Sequence, residues 1–532
     1  MNTSELLLLA ARVGMKFWLD GDNLAYRVPN EAMTDDLRSE VILHKADLIA
    51  MLQKQSLDSE SGIWRAPFPE ENGGCLSSGQ ERLWLIERRI GASPLHNLHF
   101  RLLWKGSLDQ ELLARSLTDI VARHAALRTT FTELDGAPRA VISSATAVEP
   151  AHLDLRDQPA EARVSAAEAF ILDHQLAPFD LGRGPLMQTA VVTLADDDHI
   201  ILVTQHHLVS DGWSVGIFVN ELGKCYRAHH LDQDVLLPDL PVRYSDYARW
   251  QRERRAEPAY QERLAWWKEH LTGLAALELP GGRRAHTDIL AYRGVTQNFS
   301  VPSALAARLK ELARSQHCTL YVVLLTAWAI LLHRYTNQSD FAVGTLTSGR
   351  DRIELQSLIG FFTNTVVLRC DLSGNPSAVD AIARLRAETE SALDREVQLA
   401  DVVLNAVRHT NRTPLIQAAF IFENIPMPQI ADSEIGINAM LDPGIDGSAQ
   451  GTSKFDLALF IQESSDGIRG CLKYADAQFE PSAFQRLGEH FLTLLGNILL
   501  NPCEMVGKLG LVSPREQQQL LIEWNDTELW NE

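Results

Sequence analysis

The stretch His199-Ile200-Ile201-Leu202-Val203-Thr204-Gln205-His206-His207-Leu208-Val209-Ser210-Asp211-Gly212-Trp213-Ser214 carries the most information in this chain. Its first half is an apolar run with the length and β-branched content of a buried strand. Two adjacent histidines follow, then an Asp211-Gly212 turn, then a helical pattern that puts Val215, Phe218, Val219, Leu222 and Tyr226 on one face. A loop between a rigid strand and a helix N-terminus suits catalysis, because the partial positive charge of the helix end favours a developing oxyanion. Neighbouring residues on an extended segment point to opposite sides, so only one of His206 and His207 faces a given cavity, and the other needs a partner elsewhere. Taken alone, such a pair is more often structural than catalytic. No third His, Cys or carboxylate stands at a spacing that completes a ligand set, so no metal is expected. Gly212-Trp213-Ser214-Val215-Gly216 also satisfies the G-x-S-x-G pattern of serine hydrolases, with Ser214 as nucleophile. That elbow needs its serine directly after a strand, whereas the apolar run here ends near Thr204.

Working outward, helical patterns at 110–124, 159–175, 303–315, 319–335 and 376–394 alternate with strand-like runs at 99–104, 200–204, 341–346, 366–371 and 415–422, as in an α/β or α+β fold. A chain of 532 residues exceeds what one hydrophobic core usually serves, and 237–246, with Pro238 and Pro241, reads as a hinge between two halves. The net charge of −20 argues against a nucleic-acid partner, which needs clustered Lys and Arg. Six dispersed cysteines read as free thiols of a reducing compartment. The run 6–11 lacks a basic leading segment and 321–332 is too short to span a bilayer, so a cytoplasmic protein without membrane association is expected.

The first 55 residues form a separate unit. Leu6, Leu9 and Val13 repeat at helical spacing, two short strands flank the turn Asp20-Gly21-Asp22-Asn23, and Thr34 precedes a helix with Leu37, Val41, Ala46, Ile49 and Leu52. Lys16 and Trp18 fall on one strand of the hairpin and Arg27 on the other. The segment 56–74 is polar, carries Pro67, Pro69 and Gly73-Gly74, and suits a linker.

His206-His207-Leu-Val-Ser-Asp211-Gly212 resembles the HHxxxDG signature of nonribosomal peptide synthetase condensation domains. The segments 76–84 (Leu-Ser-Ser-Gly-Gln-Glu-Arg-Leu-Trp), 123–131, 244–250, 359–365 and 408–415 resemble further motifs of that family in the same order, and 523–527 resembles its exit toward an adenylation domain. The family's HQDxPFE stretch has no good counterpart at 396–402, and His409 stands where an acidic residue is common. Residues 1–55 resemble the tubulysin-type N-terminal docking domain.

The resemblance implies two chloramphenicol acetyltransferase-like lobes in a V with a central tunnel, preceded by a small αββαα docking domain. The expected divisions are docking domain 1–55, linker 56–74, first lobe 75–243, second lobe 244–523 and the start of an adenylation linker 524–532. It implies an acyltransferase of secondary metabolism, including antibiotic biosynthesis. Upstream and downstream carrier proteins would deliver phosphopantetheine thioesters, with no cofactor bound directly, an L-configured donor, and His207 as the catalytic residue. His207 could orient the acceptor amine, stabilise the tetrahedral intermediate, or act as base. His206, Asp211, Gly212 and Arg350 would support it, Arg350 pairing with Asp211; a planar guanidinium suits bidentate capture of a carboxylate. Lys16, Trp18 and Arg27 would present the docking hairpin to the C-terminal tail of an upstream synthetase. A starter domain acylating from acyl-CoA, an epimerisation domain and a non-catalytic interaction module stay open.

Overall fold

The computed structural model describes residues 73–280, 294–406, 415–423, 429–432, 437–442, 453–464, 467–475 and 481–525, and before them residues 6, 15–20, 23–27, 38, 40, 41, 43–45, 47–49, 62, 63 and 65. Most of the expected first helix and of the linker 56–74, the motif positions 408–414 with His409, and the tail 526–532 lie outside the described residues.

Two six-stranded sheets organise the molecule. In the first the strands lie in the order Gln429–Asp432, Ile437–Asp442, Asn97–Lys105, Asp198–His206, Met187–Ala195, Ala151–Asp154. In the second the order is Asn364–Asp371, Asp340–Thr347, Ala418–Glu423, Leu457–Ser464, Gly467–Ala475, Gly294–Pro302. Both mix parallel and antiparallel pairs.

The strand that ends at His206 is paired on both edges, with Asn97 opposite His206 in one register. Its faces enter different cores. Ile201 and Val203 join the main first-lobe core with Phe100 and Phe218, while Ile200 and Leu202 pack with Ala167 and Ile171 of helix Ala160–Leu176. A strand covered on both faces has no reason to alternate with polar residues, which is why this run reads as continuously apolar. Helix Gly212–His230 follows, and all five of its predicted face residues are buried.

Helix Leu320–Thr336 is apolar on every side because it is surrounded. Trp328 and its neighbours lie in the second core, against helices Ala378–Asp394 and Pro481–Leu500. Thr319 caps its start, and Asn337 closes it in the left-handed conformation. Among the described residues no single helix is long and apolar enough to cross a membrane. No disulfide joins any of the six cysteines.

The division expected at residues 243 and 244 runs through the first core rather than beside it. Tyr244, Tyr247 and Trp250 of helix Tyr244–Arg254 pack in that core together with Leu355, Leu358, Ile359, Phe361 and Phe362. Two strands from beyond residue 428 also return to extend the first sheet, Asp442 pairing opposite Arg101 and Asn438 opposite Lys105. A sheet edge is completed by whichever segment reaches it, and order along the chain does not say which. Gly223 lets Ile430 pack closely here, since a Cβ there would stand 3.1 Å from it.

At the N-terminus, strands Lys16–Asp20 and Asn23–Arg27 form an antiparallel hairpin with Lys16 opposite Arg27 and Trp18 opposite Ala25. This pair is a sheet of its own. Leu6, Met15, Val41 and Leu48 are buried, and the described positions from 38 to 49 other than His44 are helical.

Candidate functional site

The strand leaves the sheet at His206, and residues 207–211 form the loop into the next helix. The backbone N–H of His207 donates to the His96 carbonyl (2.8 Å), and Gln80 Nε2 donates to the Leu208 carbonyl (2.8 Å). Asp211 ends the loop as the helix cap, its carboxylate accepting from the Ser214 N–H at 2.9 Å, and Gly212 is the first helical residue.

His206 turns into the first lobe and is buried. Its Nδ1 accepts the Leu208 N–H (3.1 Å), so its proton is on Nε2, 3.7 Å from Glu87 Oε1. Glu87 also contacts His96 Nδ1 at 2.5 Å. Burial pulls the Glu87 carboxyl up, but His206 and His96 outweigh it and hold it below the usual carboxylate range. Burial holds His96 neutral, its pKa down at about 4. The fold thus brings together Glu87, His96 and His206, a grouping that sequence spacing did not reveal. It has the residue types of a metal centre, but the His206 Nε2 that faces the carboxylate carries a hydrogen, so its lone pair is not offered there.

His207 turns the other way, toward the second lobe. Its Nδ1 lies 3.2 Å from the Ser210 carbonyl, which can only accept, so Nδ1 holds the proton and Nε2 keeps its lone pair. Nε2 meets Lys454 Nζ at 2.8 Å, and the edge of Phe361 stands beside the ring. Burial, then the charge of Lys454, pushes the His207 pKa well below its ordinary value. The ring is therefore a neutral imidazole with one basic nitrogen.

Asp211 and Arg350 meet in an ion pair with both side chains fully buried. The contact is not the bidentate fork expected. Arg350 Nη2 reaches Asp211 Oδ1 (3.0 Å) and Ser214 Oγ (2.8 Å), while Nη1 donates to the carbonyls of Leu355 (2.6 Å) and Leu358 (2.7 Å). The other carboxylate oxygen accepts from the N–H groups of Phe362 (2.9 Å) and Thr363 (3.3 Å). One guanidinium nitrogen is spent on the 350–362 loop itself, which it curls around the aspartate. The guanidinium also lies 4.1 Å over the Phe362 ring. Gly349 permits the turn: its φ is +61°, and a Cβ would stand 2.1 Å from the Phe362 carbonyl oxygen.

Ser214 belongs to this clamp. Its buried hydroxyl contacts Asp211 Oδ1 (2.7 Å), Arg350, and the Gly360 carbonyl (3.0 Å) and N–H (3.1 Å), with no histidine among these partners. A hydroxyl so enclosed, on the first turn of a helix, has neither the strand-to-helix elbow nor the base that a nucleophile needs.

Of the other sequence motifs, 76–84, 123–131 and 244–250 meet the 350–362 loop. Ser77 Oγ contacts the Tyr244 hydroxyl (2.8 Å), which donates to the Phe361 carbonyl (2.5 Å); Ile359 N–H donates to His124 Nδ1 (3.3 Å); Trp213 Nε1 donates to the Gln356 carbonyl (3.1 Å). In the divergent segment, Glu396 binds Thr347 (2.6 Å) and Asn364 (2.9 Å) and so fixes the strand entrance after the 350–362 loop. Lys16, Trp18 and Arg27 lie on the separate N-terminal hairpin. Sequence reasoning missed Glu87, His96 and Lys454, which stand in no shared motif with the signature loop.

Comparison with known proteins is consistent with this geometry. The Condensation domain family model matches residues 71–521, and the TubC N-terminal docking domain matches residues 4–54. A linear gramicidin synthase polypeptide of Brevibacillus parabrevis is 36% identical over 478 residues, covering 88% of this chain and 9% of that protein. Phosphinothricin tripeptide synthetase PhsB of Streptomyces viridochromogenes is 36% identical over 468 residues, covering 87% of this chain and 39% of its own length. The chain thus spans less than half the length of these relatives. Among solved structures, the X-domain from teicoplanin biosynthesis superposes with a TM-score of 0.72 at 24% identity, covering 85% of this chain and 100% of that one. The first condensation domain of the calcium-dependent antibiotic synthetase gives 0.71 at 20% identity, covering 83% of this chain and 100% of its own. These likenesses carry the two-lobed acyltransferase fold. With most of its length matched by one family, and the signature loop clamped by the 350–362 loop, this chain belongs to the condensation domain family of nonribosomal peptide synthetases, preceded by a TubC-type N-terminal docking domain.

Proposed function

We propose that this chain forms an amide bond between two carrier-bound substrates, with His207 at the reacting centre. The observation that carries the reading is the neutral His207 ring, held by Ser210 so that its Nε2 lone pair faces the junction of the lobes. An upstream carrier presents an acyl or peptidyl thioester and a downstream carrier an aminoacyl thioester, each on a phosphopantetheine arm. The acceptor amine attacks the donor carbonyl carbon, the carbon–nitrogen bond forms, and the carbonyl π electrons move onto oxygen. Collapse expels the donor thiolate, and the amine proton passes through His207 Nε2 to that sulfur, leaving an amide and a free thiol. A free α-amine has a pKa of about 7.7 to 8.0, so near neutrality positioning counts for as much as proton removal.

Donor carriers bearing N-acetyl-L-aminoacyl thioesters and acceptor carriers bearing L-aminoacyl thioesters test this, with the amide read by mass spectrometry. His207→Ala is expected to lower the rate at least about 100-fold in a folded protein. Ser214→Ala keeps most of the rate per folded molecule; the opposite ranking would revive the hydrolase.

The N-terminal hairpin supports a docking role. Lys16 and Arg27 are paired positions on its two strands, and its two-stranded sheet is separate from those of the lobes. The partner we propose is an acidic C-terminal tail of an upstream synthetase, added as a further strand. Titrating the chain with acidic tail peptides of candidate upstream proteins should shift the hairpin amide resonances, and no shift with any of them removes this claim.

A further inference from the structure

Lys454 comes from the second lobe, just before strand Leu457–Ser464, and crosses to the His207 ring of the first. Its backbone is anchored: neighbouring Ser453 is buried, with its hydroxyl donating to the Phe455 carbonyl (2.6 Å), and the Asp456 carbonyl accepts from Ala475 (3.1 Å). The Lys454 side chain itself is exposed. An imidazole nitrogen has one lone pair in the ring plane, and with Nδ1 protonated the Nε2 lone pair is the ring's only acceptor. In this structure the Lys454 ammonium points at it, where the N–H of an acceptor amine would have to be. Two donors cannot share it.

We propose that the acceptor amine displaces Lys454 from His207 Nε2, and that the displaced ammonium then binds the oxyanion of the tetrahedral intermediate. This rests on the amide-forming reading above. The oxyanion and the attacking nitrogen are bonded to the same carbon, so a cation dislodged from the nitrogen's position needs only a small swing to reach the oxygen. A four-carbon stem with three N–H donors can make that swing, and the lysine stays protonated throughout, so the proton balance of the reaction is unchanged. The charge-assisted contact exists only once charge has developed on oxygen, which makes it stabilisation of the transition state rather than of the bound substrate.

Before substrate arrives, the same cation keeps His207 from taking up a proton. Among the described residues, the charged and titratable groups facing the ring are Lys454 from the second lobe and His96 and His206 from the first, with Glu87 behind both histidines. Removing the Lys454 charge therefore raises the pKa of His207. A base that must be neutral works above its pKa, so the acid limb of the rate profile then moves to higher pH.

The experiment compares wild type, Lys454→Met, Lys454→Arg and His207→Ala, using whichever loaded carrier pair gives turnover above. His207 is also titrated directly in the free chain by NMR of isotope-labelled histidine, its signal assigned by loss in His207→Ala. Lys454→Met should lose about 100-fold in kcat with KM changed little. Its His207 titration should shift upward, and Lys454→Arg should restore much of the rate and the low pKa. A Lys454→Met enzyme that keeps wild-type kcat, or one whose His207 titration does not move, overturns the proposal. If instead His207→Ala is as active as wild type, it is the amide-forming reading that fails.

Discussion

The signature loop is tied to later segments of the chain at two places built on different principles. At Asp211 the tie is sealed: carboxylate, guanidinium and the Ser214 hydroxyl are buried, and they share bonds with the backbone of Leu355, Leu358, Gly360, Phe362 and Thr363. At His207 the tie is a 2.8 Å contact to an exposed lysine. A buried charge pair is costly to break, because the group left behind has lost its water; an exposed ammonium returns to solvent at little cost. The first tie holds the loop and the second, on the proposal above, releases it, which is what the reacting centre proposed at His207 needs beside a fixed scaffold.

The sharpest way to break this comparison is to cut the sealed tie. Asp211→Ala or Arg350→Ala should each destabilise the fold by about 3 to 5 kcal/mol, read from denaturant midpoints, because each strands a buried charge. The double variant should be no worse than either single; small, additive losses would mean that the pair does not act as a unit.

A smaller effect belongs to the polar cluster behind the loop. His96 is held neutral down to about pH 4, whereas in the unfolded chain it takes a proton near its ordinary 6.5. A base whose pKa is depressed by folding leaves the native state at full stability above the unfolded value and weakens it as pH falls from about 6.5 toward 4. The loss from this group should reach roughly 3 kcal/mol. His96→Gln should flatten that part of the stability–pH curve, and an unchanged slope would show that this histidine is not the group responsible. The least effect is expected at the open tie, where Lys454→Met should move stability by no more than about 0.5 kcal/mol. A loss as large as that of the clamp variants would erase the distinction.

The divergent segment around Glu396 and Asp401 also becomes intelligible beside the clamp. Asp401 receives Arg255 Nε (3.0 Å) and the Tyr260 hydroxyl (2.5 Å), and Glu396 receives Thr347 and Asn364, so these acids brace helices and strands rather than the loop. Their change from the family pattern leaves the signature loop's own contacts in place.

The sequence by itself determined the local elements. Residues 303–315 form the helix expected, the apolar run 200–204 is the heart of strand Asp198–His206, and the Asp211-Gly212 turn starts the next helix, because periodicity and capping act over a few residues. It also made His207 and Asp211 conspicuous, through the residues immediately beside them. Tertiary structure alone decided what those residues meet. Glu87 and His96 reach His206 because two elements of the first lobe close on the strand end, Lys454 arrives 247 residues after His207, and two distant strands complete the first sheet. Local patterns report which face of an element is buried; they carry no record of which distant segment covers it, since any apolar surface or hydrogen-bonding edge of the right shape would serve. The partners of the His207 ring are therefore settled by long-range packing, while the ring's own place on the loop is settled by its neighbours in the chain.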